Sequence, residues 1–98
     1  MSLPTFHVDF NELVRPDLVL LSKVDQRNDS NGNPVTLVEG MRVRVWEIDI
    51  GDDGQRDDLV ATGVAVRNQE CGWSKHVKWC CLIDAPGIRH QSGISPTQ

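Results

Sequence analysis

Tyrosine is absent from these 98 residues, phenylalanine occurs twice, and tryptophan, at three positions, supplies most of the aromatic bulk. No apolar run approaches the roughly 20 residues that span a bilayer, so no membrane partner is expected. Basic excess is missing too. A formal charge of −4 argues against a general nucleic-acid binder, which needs a basic face for phosphates, and against docking on an anionic membrane. Three cysteines, two of them adjacent, do not make a disulfide framework. The first residues lack a basic segment followed by an apolar core, so no secretory signal is read. The acceptor pattern Asn28-Asp29-Ser30 then carries no weight for glycosylation. These absences together lead to the expectation of a reduced, cytoplasmic protein.

What is present suits a single folded domain. Apolar content of 39% with 24% charged residues is ordinary for a globular chain of this length. Residues 40–67, GMRVRVWEIDIGDDGQRDDLVATGVAVR, organise the rest. They read as two strands around a turn signalled by Asp53-Gly54. Val43 and Val45 share one face of the first strand, with Trp46 and Ile48 opposite. Val60, Thr62, Val64 and Val66 recur at strict two-residue spacing and are expected to present the core face of the second strand. Gly40, just before the first, marks a bulge or a sharp bend.

Other segments must close over that hairpin, because two strands alone are marginal in water. In residues 5–15, Phe6, Val8 and Phe10 alternate as a strand would, while Asp9 is placed to cap one helical turn; an extended arm followed by that turn is favoured. Residues 17–25 form a strand covered on both sides at its start. Residues 26–34, QRNDSNGNP, read as a polar loop with nothing in it to anchor a core. Residues 76–84 give another strand, with Val77, Trp79, Cys81 and Ile83 inward and Cys80 outward. Of the two adjacent cysteines, one is then a core residue and the other lies at the surface. A stub follows at residues 88–90. The expected architecture is mainly β: about five strands in a small, partly open barrel, SH3-like in type, with an oligonucleotide-fold-type barrel second. Residues 1–16 form an arm or short helical turn, 17–90 the barrel and 91–98 a tail.

Four constellations carry chemistry. Cys71, His76, Cys80 or Cys81, and His90 are ligand types that zinc selects, but their spacing matches no standard zinc module, and no metal or other cofactor is expected. Residues 49–58 place a glycine and carboxylates at several positions of a calcium-binding loop. Gly51 and Val60 nevertheless stand where ligands belong, so a solvated acidic turn is the better reading. Cys71 beside Lys75 and His76 is the only arrangement that points to a nucleophile, and it lacks a recognisable base and acid partner, so the chain is read as non-catalytic. The fourth is a binding face. Trp73 sits in a Gly-Trp-Ser-Lys loop, and Arg42, Arg44 and Arg67 are expected to line one solvent face of the hairpin, with Lys75 close by. Residues 47–58 oppose them with six carboxylates against Arg56 alone. Such segregation suits a protein partner or a second copy of the chain, with nucleic acid as the alternative within binding.

Overall fold

Phe6, Val8 and Phe10 are all buried in the computed structural model, as their alternation requires. The structure describes residues 3–69, 72 and 74–93, and the fold is mainly β. The strands are β1 (Thr5–His7), β2 (Leu13–Arg15), β3 (Leu18–Ser22), β4 (Gln26–Asn28), β5 (Pro34–Thr36), β6 (Arg42–Glu47), β7 (Leu59–Arg67), β8 (Trp79–Ile83) and β9 (Arg89–His90). A short 3-10 turn, Gln91–Gly93, follows β9. The principal sheet runs β1-β6-β7-β8-β3-β2, with β9 added to β7, while β4 and β5 form a separate two-stranded sheet. Among the described residues only the β1–β6 pair is parallel.

The segment after β1 does not become helical. Asp9 caps a turn, its Oδ1 accepting the Asn11 N–H at 2.8 Å while Glu12 N–H reaches the Asp9 carbonyl at 2.9 Å. The chain leaves that turn as β2 and pairs with β3, because Leu13 finds a ladder partner in Val19. Residues 26–34 also depart from expectation. They are not a loop but most of the β4–β5 hairpin, whose turn is held by Asp29: its Oδ1 accepts both Asn31 and Asn33 N–H at 2.9 Å. Gly40, at a φ of 86°, is the bend that carries the chain from β5 into the principal sheet.

One face of the sheet makes the core. Phe6, Val19, Leu21, Val43, Val45, Ala61, Ala65, Trp79, Cys81 and Ile83 meet there, and Leu37 joins them from the segment after β5. The inward side of β7 is therefore alanine, glycine and alanine, not the valine series; Val64 and Val66 lie half-buried on the other face. Close approach is the reason. A Cβ on Gly63 would run into the Leu82 carbonyl and the Cys81 sulfur, so β7 and β8 come together only over small side chains. The cysteine expectation is corrected as well: β8 is central, and Cys80 and Cys81 are both fully buried, on opposite faces. β3 is covered on both sides as its apolar start predicts.

The ladder does not close on itself, and β1 and β2 are its ends. Yet Arg27, from β4, donates through Nη1 to the Leu21 carbonyl and through Nη2 to the His7 carbonyl, each at 2.6 Å. Its guanidinium also stands 5.3 Å over the Phe6 ring. Three strands lie between β1 and β3 along the ladder, so one side chain touching both shows how far the sheet curls. The segment read as having no core anchor supplies the residue that fills the seam. Burial lowers the Arg27 pKa, though a guanidinium keeps its charge in any folded protein.

Candidate functional site

The β6–β7 register fixes which side chains share the outer face. Arg42 stands opposite Val64, Arg44 opposite Thr62, and Trp46 opposite Val60. The same register continues beyond the regular strands: Asp57 N–H reaches the Asp49 carbonyl at 2.9 Å, Ile50 bridges Arg56, and Gly51 N–H reaches the Gln55 carbonyl at 2.8 Å. The hairpin register thus extends past the regular strands, through an isolated bridge, to a tip at residues 52–54. Two-residue alternation then puts Arg42, Arg44, Trp46, Ile48 and Ile50 in a single outward stripe. β1 flanks it on one side, with Thr5 beside Arg44 and His7 beside Trp46. β9 flanks β7 on the other, with Arg89 beside Val60.

Trp46 is fixed in this surface. Its Nε1 donates to Ser30 Oγ at 2.8 Å, and the His7 ring meets it edge-on at a centroid distance of 4.9 Å. Arg44 Nη2 donates to Gln91 Oε1 at 3.3 Å. Arg42 is paired at 3.3 Å with Asp84, which also accepts from Thr62 Oγ1 at 2.8 Å. Arg44 and Val60 border two depressions. One, of about 240 Å³, adds Thr5, Trp46 and Asp58; the other, of about 110 Å³, adds Thr62, Gly87 and Arg89. Ile48 and Ile50 are 51% and 58% exposed, two of the few large apolar side chains left open to solvent. Arg42, Arg44, Arg56 and Arg89 on this face outnumber Asp58 and Asp84, although the whole chain is acidic.

The expected arginine trio divides. Arg42 and Arg44 share the outer face, but Arg67 lies an odd number of positions from Val64 and falls on the opposite side of β7. There its guanidinium stacks 4.9 Å over the Trp79 ring, and its N–H is taken by Glu39 Oε1 at 3.0 Å. Lys75 is exposed in the turn before β8, away from the stripe. Trp73 and Cys71 lie outside the described residues. Arg89, Trp46 and Ile50 were missed as site residues; Trp46 and Ile50 follow from the alternation that places Arg42 and Arg44, whereas Arg89 joins only through the β7–β9 register, which spacing along one strand does not show.

The acidic segment is largely spent on the fold. Asp49 holds His90 at 2.8 Å, Asp57 takes the Ser92 N–H and hydroxyl at 2.9 and 2.7 Å, and Asp58 grips Arg56 at 2.8 Å. Hydrogen bonds from Ser92 and Arg56 accordingly lower the pKa values of Asp57 and Asp58. These contacts pin β9 and the 3-10 turn along the arm. Among the described residues no three His, Cys, Asp or Glu side chains gather as a metal-holding group. His90 pairs with one end of β7 at Leu59, and Cys80 with the other at Val66. At roughly 3.3 Å per residue, that span leaves them about 23 Å apart, too far for one ion. Burial raises the Cys81 pKa to about 12 and removes it as a nucleophile at neutral pH.

A larger cleft, of about 520 Å³, opens at the seam, where His7, Asp9 and Glu12 face Lys23 and His76 above Arg27. Among the described residues no helix is long and apolar enough to cross a membrane. Compared with models of known families, with curated proteins and with solved structures, the chain has no match.

Proposed function

We propose that the chain is a non-catalytic binding module that engages another protein, a different one or a second copy of itself, through the outer face of β6 and β7. The observation that carries this reading is the stripe Arg42, Arg44, Trp46, Ile48, Ile50. It combines basic, aromatic and exposed apolar side chains on one face of an acidic chain. The core does not require those residues, since the opposite face of both strands supplies it. The fold reading that goes with it is a small, partly open barrel of SH3-like type, supported by the curl that lets Arg27 bridge β1 and β3. A cytoplasmic setting is supported by two neighbouring cysteines held in the interior of one strand.

Selection of a random peptide library on the immobilised full chain tests the reading. Binders are expected to be acidic and to lose affinity for Arg44→Glu at least tenfold, roughly what a like-charge contact costs. Binders indifferent to Arg42→Glu and Arg44→Glu would move the function off this face. Single-stranded and duplex oligonucleotides titrated across a salt series provide the contrasting arm. A steep salt slope with no peptide preference would favour nucleic acid instead.

A further inference from the structure

The stripe reads, from its base toward the tip of the arm, as arginine, arginine, tryptophan, isoleucine and isoleucine, and the turn that ends the arm begins with the exposed Asp52. It is basic at one end, apolar in the middle and acidic at the other. Turned end for end about Ile48, that order matches itself: Arg44 meets Asp52, Trp46 meets Ile50, and Ile48 meets its own copy. We propose that the partner of this face is a second copy of the chain, in an isologous pair whose two β6–β7 arms lie antiparallel, outer face on outer face. The proposal rests on the binding face argued above and names its occupant.

Three observations converge on this pairing. First, a two-fold interface brings every contact twice, so a surface must carry both halves of each contact, and this stripe does. Second, Ile48 and Ile50 are more than half exposed, and the pairing covers them against Trp46 and Ile48 of the other copy. Third, the contact is incomplete within one molecule. Arg44 reaches only the neutral Gln91 amide at 3.3 Å, and the depressions on either side of it remain open. The partner's Asp52 supplies the carboxylate that Arg44 lacks.

The arm sets the strength. The eight residue-to-residue steps from Arg44 to Asp52 span about 26 Å at the rise of a strand. Two strands of that length bury well under the roughly 1,600 Å² of a standard stable interface. Association in the micromolar range or weaker is therefore expected, and salt should weaken it because its ends are ionic.

Sedimentation equilibrium of the full chain, from micromolar to millimolar and at low and high salt, tests the pair. A monomer–dimer equilibrium is expected, with Arg44→Glu and Asp52→Lys each raising the dissociation constant by about tenfold or more. The two variants are then mixed in equal amounts. Each alone sets like charges together at both ends, whereas the mixed pair sets opposite charges together at both, so mixing should restore dimerisation. Thermal unfolding of each variant confirms that it is folded, and Asp52, exposed in the tip, provides a variant independent of the sheet. A wild-type chain that stays monomeric throughout overturns the pairing, as does a dimer that ignores both charge reversals or a mixture that stays monomeric. If the chain is monomeric while selected acidic peptides still depend on Arg44, the pairing alone fails and the binding face stands. If those peptides also ignore Arg44, the face fails with it.

Discussion

Arg27 and Arg44 are both half-buried arginines on short strands, yet the fold treats them differently. Arg27 places both terminal nitrogens on backbone carbonyls of two strands that no ladder joins, and covers the Phe6 ring. Arg44 sits in the middle of a regular ladder whose backbone needs nothing from it, and its guanidinium makes one long contact to a side-chain amide. Where an arginine completes hydrogen bonds that the backbone leaves open, its charge belongs to the architecture. Where the ladder is already complete, the charge is not needed by the backbone. Arg67 falls between them, stacked on Trp79 but still exposed.

The sharpest way to break this contrast is at the seam. Arg27→Met keeps most of the stem that packs on Phe6 and removes both donors. A part-buried carbonyl, of Leu21, and an exposed one, of His7, then lose charge-assisted hydrogen bonds, at an expected cost of about 2–4 kcal/mol. For a domain of this size that is a fall in Tm of about 10 °C or more, read by calorimetry. A loss below about 1 kcal/mol would mean that water replaces the guanidinium easily and that the seam is not a structural device. Next in size is Arg67→Ala, which removes the cation from the Trp79 ring. The expected loss is about 0.5–1 kcal/mol in urea unfolding, with no effect on association. An association defect there would return Arg67 to the binding face from which the β7 register separates it.

Much of the core was legible because it is written in alternation. Phe6, Val8 and Phe10, and Val77, Trp79, Cys81 and Ile83, are buried as their two-residue spacing implies. β7 was misread by the same rule, since its larger apolar residues were taken for the inner face. Packing distance decided otherwise: at Gly63 the approach of the Leu82 backbone leaves no room even for a Cβ, and Val64 and Val66 lie on the other face. Arg27 was invisible for a different reason. Its role depends on carbonyls of residues 7 and 21, and no local pattern reports which backbone groups a ladder leaves unpaired. The proposed binding face was half legible. Arg42 and Arg44 share a face by spacing, whereas Arg89 and His7 join it only through pairing with other strands.

A smaller effect is expected at Asp25, where Lys78 Nζ and Trp79 Nε1 converge on one carboxylate at 2.8 and 3.0 Å. Those hydrogen bonds lower its pKa from the ordinary 3.8, so the folded state favours the ionised form. The associated stability is present above the unfolded value and is lost as pH falls through the lower folded one. Unfolding of the wild type and Asp25→Asn compared from about pH 7 to about pH 2 should therefore show a modest deficit in the variant at neutral pH that closes below about pH 4. A deficit that persists unchanged in acid would assign the effect to the Trp79 hydrogen bond rather than to charge.

The smallest expected effect on stability is at Arg44, and it is the one that decides the contrast. Arg44→Met removes the charge and leaves an apolar stem of similar reach on a sheet face that the core does not use. Unfolding free energy should change by no more than about 0.5 kcal/mol, the ordinary range for a surface site without a structural partner. Arg27→Met and Arg44→Met are then matched substitutions at half-buried arginines, and only the first should unfold the protein more easily. If Arg44→Met proves as costly as Arg27→Met, the Gln91 contact is holding the 3-10 turn against the arm and the outer face belongs to the fold. If it is neutral while association weakens, the guanidinium has no role within the chain, and its conformational freedom is given up only when a partner's carboxylate arrives.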